Sequence, residues 1–196
     1  MYRRKALQHI YLIITLGFCF TQNACKSQDD NNLPTASREL AVEQRATAFF
    51  ETFAARSDWQ KFCSFYRKDL IFDDITLQIH LDSLWQFKSF YNWESEVGNF
   101  HKMSPDQDHL SVETLVANDS VAVARGHLNP FYYYDELVDV DWGMDFTIWL
   151  YFDDALMIRK QVDWFEYDPA VLEGVVKHYR EKGAGVLPDW LKLSRE

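Results

Sequence analysis

Arg125 and His127 lie two residues apart in the run Val121-Ala122-Val123-Ala124-Arg125-Gly126-His127-Leu128, which has strand character. Side chains two apart on a strand leave from one face. A guanidinium and an imidazole placed together in this way could bind an acidic group and move a proton. The plainer readings come first on general grounds: a salt bridge from Arg125 to one of many nearby acids, and a hydrogen-bonded histidine at a strand end. Asp163 lies in Gln161-Val162-Asp163-Trp164-Phe165. Plain alternation groups it with Arg159, Gln161 and Phe165, and sets Ile158, Val162 and Trp164 on the other face. Asp163 enters an interior only if the mixed row faces inward, or if a bulge shifts the register. Otherwise it is a strand-end carboxylate making ordinary hydrogen bonds.

Trp142, Trp149, Tyr151 and Trp164 are numerous enough to bind an apolar group in a pocket or across a sheet-to-sheet contact, although such rings more often fill a core. Asp135, Glu136, Asp139, Asp141 and Asp145 form an acidic cluster whose spacing fits no calcium loop and reads as a solvated face. His80, His101 and His109 occur singly, so no zinc site is expected. The glycine-rich dinucleotide and phosphate loops, the Gly-x-Ser-x-Gly elbow and Cys-x-x-Cys are all missing, so no cofactor is expected. Acids outnumber bases 30 to 20, and the formal charge of −10 repels nucleic acid. Disorder is excluded, because 7 Trp, 10 Tyr and 15 Phe supply apolar surface for one core.

The elements that must position these residues change character along the chain. Ser37 is placed to cap a helix carrying Val42, Ala46, Phe49, Phe50 and Phe53 at helical spacing. Asp58 caps a shorter helix through Tyr66, Leu70 to Ile75 reads as a strand, and Asp82 caps a third helix bearing Leu84, Phe87 and Tyr91. Asn92 to Asp108 reads as a long loop. The second half alternates instead. Asn118-Asp119 joins one strand pair and Asp153-Asp154-Ala155 joins another, with Asn129 to Gly143 as an elaborated connection. Asp168, Pro169 and Gly183 bracket a last helix. Helices followed by antiparallel hairpins give an α+β class: N-terminal helices packed on a curved, mostly antiparallel sheet.

The N-terminal segment reads as an address. Arg3, Arg4 and Lys5 precede an apolar run from Ile10 to Phe20, too short for the ~20 residues of a membrane-spanning helix. Thr21-Gln22-Asn23-Ala24-Cys25 resembles a bacterial lipobox, although Gln22 stands where leucine is usual. That resemblance implies a signal peptide over residues 1–24, lipid attachment at Cys25, a tether over 25–36 and a cell-envelope address, with the outer membrane as partner through the anchor. Ser27-Gln28-Asp29-Asp30 is similar to an acidic surface-export signal. Cys19 would leave with the signal, so Cys63 stands without a disulfide mate and reads as a small buried hydrophobe.

Phe50-Glu51-Thr52-Phe53, Ser57-Asp58-Trp59 and Phe65-Tyr66 resemble the opening helix pair of the nuclear transport factor two-like superfamily, in particular its SnoaL-like branch. Trp149-Leu150-Tyr151-Phe152-Asp153-Asp154, Met157-Ile158-Arg159 and Val162-Asp163-Trp164-Phe165 are similar to its last hairpin. The resemblance covers roughly residues 38–181. It implies a SnoaL-like domain over 37–182 with a C-terminal tail over 183–196, and a curved sheet around a long helix enclosing an apolar cavity. It also implies frequent homodimerisation through the sheet. The superfamily holds cyclases, isomerases, dehydratases, epoxide hydrolases and members that catalyse nothing. In two of its branches an Asp at the place of Asp163 acts as acid or base, because an apolar cavity disfavours the charged carboxyl and raises its pKa. The epoxide-hydrolase branch carries Arg-x-Asp where this chain has Arg125 and His127. The substitution breaks that triad and leaves a His127–Asp163 acid/base pair, with Arg125 holding Asp163 as an anion. The first expectation is a binding domain for a small hydrophobic molecule or a partner, without turnover; the second is a cofactor-independent lyase, isomerase or hydrolase.

Overall fold

The computed structural model describes residues 33–91, 100–133, 136–138 and 144–183. The chain divides into two compact units, Met1–Ala36 and Ser37–Glu196. Within the first, Leu33–Ala36 are helical. Among the described residues no helix is long and apolar enough to cross a membrane. The signal, residues 25–32 of the expected tether with Cys25, Trp142, Asp135, Asp139, Asp141 and the tail beyond Gly183 lie outside the described residues, while residues 33–36, expected as tether, already belong to a helix.

Helix α1 (Leu33–Ala55) begins ahead of Ser37, and Pro34 falls in its first turn, where a missing N–H costs nothing. Its inward stripe is the one the spacing predicts: Val42, Ala46, Phe49, Phe50 and Phe53 are all buried. Arg38 ties this helix to both hairpin turns, with Nε donating to the Asp119 carbonyl at 3.0 Å and Nη1 to that of Asp154 at 2.8 Å. Asp58 caps α2 (Trp59–Cys63) by accepting the Lys61 N–H at 2.8 Å. This helix stops short of Tyr66 because the chain there already pairs with Ile158 as the start of β1 (Tyr66–Asp74). Strand pairing thus overrides the local helical signal and lengthens the expected strand at its front. A short return strand, β2 (Ile79–Leu81), follows a turn in which Gln78 has φ 55°. It is too short to read from sequence. Helix α3 (Leu84–Tyr91) follows, with Phe87 fully buried.

Strands β4 (Leu110–Ala117) and β5 (Val121–Leu128) form the first foreseen hairpin, and Asn118 Oδ1 accepts the N–H groups of Ser120 and Val121 at 2.9 and 2.8 Å. The second joins β8 (Asp145–Phe152) to β9 (Ile158–Phe165), where Asp153 Oδ1 accepts the N–H groups of Ala155 and Met157. The expected loop and connection hold β3 (Phe100–Lys102), β6 (Phe131–Tyr133) and β7 (Glu136–Val138), a separate three-stranded sheet. Helix α4 (Pro169–Lys182) ends at Gly183, whose φ of 96° suits glycine.

The main sheet has the order β2-β1-β9-β8-β5-β4 and is antiparallel except where β1 runs parallel to β9. Gly126 marks a close approach: a Cβ there would overlap the Ser111 carbonyl oxygen, beside the bulge between Val112 and Thr114. Between α1, α3 and β1 the space is filled by rings in mutual contact. Phe49 meets Phe62 at 5.4 Å, Tyr66 meets Phe87 at 4.6 Å, and Phe87 meets Tyr91 at 4.5 Å.

Candidate functional site

Strand register decides which side of the sheet each candidate faces. Arg125 pairs with Thr147, and Thr147 with Trp164. One residue along, Ala124 pairs with Ile148, Ile148 with Asp163, and Asp163 with Asp74 across the parallel junction. Ala124, Ile148, Asp163 and Asp74 are all buried, so this second row lies on the inner face and the first on the outer. A bulge in β9 opposite Tyr151 and Phe152 resolves the alternation problem. Ile158 faces inward, the register then slips, and Gln161 and Asp163 face inward after it.

Asp163 is therefore interior, with no exposed surface, and its neighbours are polar. Tyr91 Oη donates to its Oδ2 at 2.9 Å, and Gln161 Nε2 donates to both oxygens at 2.9 and 3.1 Å. Gln161 is in turn oriented by Tyr66 Oη, which donates to Oε1 at 2.7 Å. Asp74 accepts the Leu77 N–H at 2.8 Å and the Tyr167 hydroxyl at 2.6 Å. Desolvation pushes the Asp163 carboxyl well above the usual carboxylate range, and the charge of Asp74 adds to this; the Gln161 and Tyr91 hydrogen bonds oppose it and lose. Desolvation also raises Asp74, against the donors from Leu77, Tyr167 and Thr76. Tyr66, Tyr91 and Tyr167 are all pushed up by burial and by these carboxyls, so they remain hydroxyl donors.

Arg125 and His127 do not join Asp163. Arg125 Nη2 pairs with Asp145 Oδ2 at 3.1 Å, and His127 Nδ1 lies 3.1 Å from Glu113 Oε1, both in solvent on the outer face. The expected His127–Asp163 acid/base pair is corrected accordingly: the thickness of the sheet separates the two groups, and each outer side chain has taken the plainer role. Trp149 and Trp164 also stand outside, 36% and 43% exposed, with Tyr151 beside Arg159. They line no interior pocket. His109 is buried at the end of α1 and held neutral, its pKa lowered by desolvation and then by Arg56 and Lys102. Among the described residues no three His, Cys, Asp or Glu side chains converge as metal ligands.

Asp74, Tyr66, Tyr91, Gln161 and Tyr167 were not singled out by motif. The signal for Asp74 was present, since it is in phase with Leu70 and Phe72, both of which are buried. Gln161 is likewise in phase with Asp163. The contact of Tyr91 with Asp163 spans 72 residues and has no local signature.

No family model matches the chain, and no curated protein matches it in sequence. Solved structures do. A protein described as a SnoaL-like polyketide cyclase, from Shewanella putrefaciens CN-32, is 16% identical with a TM-score of 0.53, over 70% of this chain and 96% of that one. One of the same description from Shewanella denitrificans OS-217 is 15% identical with a TM-score of 0.51, over 70% of this chain and 97% of that one. The fold is the nuclear transport factor two-like cone. At such identities the likeness extends to the fold alone, and the cone hosts many chemistries. Within it, Tyr91 of α3 contacts Asp163 on the inner face, and Trp149 and Trp164 are partly exposed on the other.

Proposed function

We propose that this chain is an exported, lipid-anchored cone domain that acts by binding and not by turnover, with the outer face of the main sheet as its binding surface. One observation carries the reading: the large apolar side chains that the sequence offers for binding stand exposed on that face. Val116, half-buried Val123 and Trp149 form one transverse row that ends at the buried Val162, and Trp164 lies in the next. Val116 is 58% exposed. A contiguous apolar strip on a sheet face is a site for a partner. Inside, the touching rings favour a partner over a small hydrophobic guest. The Asp163 carboxyl is buried behind Tyr91, with Arg125 and His127 across the sheet, so among the described residues these three do not assemble into one catalytic set. The partner we favour is a second copy of the chain, meeting this face with its own.

Sedimentation equilibrium tests the surface. Trp149→Asp with Trp164→Asp is expected to weaken self-association at least ~100-fold, since buried interface tryptophans are each worth about 2 kcal/mol or more. Unchanged association in this variant, or a wild-type chain that stays monomeric, overturns the proposed surface. A turnover that disappears in Asp163→Asn with the fold intact overturns the non-catalytic reading. The address is tested by membrane partition: Cys25→Ser should move to the soluble fraction, and a variant that stays bound refutes lipid attachment.

A further inference from the structure

The inner face carries a feature that binding at the outer face does not use. Asp74 and Asp163 are direct register partners on adjacent parallel strands, point to the same side, and are 1% and 0% exposed. Among the described residues, every hydrogen bond to either carboxyl comes from a neutral donor: the Tyr91 and Tyr167 hydroxyls, the Gln161 amide and backbone N–H groups. Two neighbouring anions in so dry a place cost far more than one, because their repulsion is poorly screened and neither is hydrated. The groups facing the pair are Tyr66 from β1, Gln161 from β9, Tyr91 from α3 and Tyr167 beyond β9. Tyr179 of α4 feels the Asp74 charge, and Arg56 at the end of α1 acts on Tyr91.

The cover in direct contact with this pair is α3. It is eight residues long, buries Phe87 fully, and Tyr91 supplies its hydrogen bond to the carboxyl pair. By contrast α4 holds the β1–β2 turn through Tyr179, whose hydroxyl donates to the carbonyls of Leu77 and Gln78, and Tyr167 separately holds Asp74. From this side water reaches Asp163 if α3 moves, since the Tyr91 hydroxyl sits on its carboxyl.

We propose that Asp74 and Asp163 hold one proton between them while the domain is closed, and that losing this proton favours release of α3 from the sheet. The step is a proton transfer to water. It leaves two carboxylates, which the released state can hydrate and the closed state cannot. The inference goes beyond the binding reading and does not depend on it. Release of α3 would expose the aromatic interior, so the pair makes access to that interior sensitive to pH.

Hydrogen exchange on the full chain between about pH 4 and about pH 9 tests the proposal, read as protection factors of the α3 amides. In the wild type these factors should fall by up to about tenfold per pH unit across the window in which the proton leaves. Asp163→Asn and Asp74→Asn each remove one ionising partner and should flatten that slope. His109 takes up a proton on opening only at lower pH and contributes with the opposite sign; it is common to all three proteins and cancels in the comparison. A wild-type slope of zero, or an equal slope in both variants, overturns the proposal. If the variants fail to fold, the carboxyl 13C shifts of the wild type decide: one proton retained well above the ordinary carboxylate range supports it, and both groups ionised near about pH 5 end it.

Discussion

Replacing Tyr91 by phenylalanine isolates the hydrogen bond that closes the inner face. The hydroxyl donates to Asp163 Oδ2 at 2.9 Å, and the ring packs against Phe87 at 4.5 Å, Phe90 at 5.3 Å and Phe53 at 5.8 Å. Phenylalanine keeps those ring contacts, so the loss is the hydrogen bond and little of the packing. The cost depends on what Asp163 is. A bond between neutral partners contributes about 1 kcal/mol net, and one to a carboxylate about 1.5–3 kcal/mol. Because desolvation and Asp74 raise the Asp163 pKa well above 3.8, the folded state keeps a proton that the unfolded chain gives up. The stability this contributes is full below the ordinary carboxylate pKa and is lost as pH rises through the folded one. Removing a donor that favours the anion raises the folded pKa further, so the penalty of Tyr91→Phe should grow with pH. Urea unfolding followed by circular dichroism should give a loss of about 1 kcal/mol at about pH 4, rising toward about 2–3 kcal/mol at about pH 9. A penalty that is flat with pH, or no penalty at all, refutes the assignment of Asp163 as a buried, proton-holding group.

Arg125→Ala and His127→Ala should each change stability by no more than about 0.5 kcal/mol, because their ion pairs are solvent-facing; a loss of about 2 kcal/mol in either would place them in a role the outer face does not provide. Gly126→Ala should cost about 1–3 kcal/mol in the same unfolding assay, since the new methyl would overlap the Ser111 carbonyl and approach the Phe146 ring; a neutral result would mean that the β4 bulge yields freely.

Local chemistry was legible wherever one segment carries its own instruction. The stripe Val42, Ala46, Phe49, Phe50 and Phe53 followed from helical spacing, and the turns at Asn118 and Asp153 from side chains that accept nearby N–H groups. Asp58 as a cap and Gly183 as a stop are of the same kind. These features need partners only a few residues away. The pairing of His127 with Asp163 failed for a different reason: sequence spacing sets which residues of one strand share a face, and leaves open which face of the next strand meets it.

What the amino-acid order determined by itself is the class of fold, its helices and hairpins, and the presence of an isolated carboxylate in an apolar run. The tertiary structure alone decided where that carboxylate points. A one-residue slip at the β9 bulge turned Gln161 and Asp163 inward, and the parallel seam with β1 set Asp74 beside it. The same register sent Arg125, His127, Trp149 and Trp164 to the other side. Strand side chains alternate with period two, so a single slipped residue exchanges the faces, and that slip depends on pairing with strands distant in the chain.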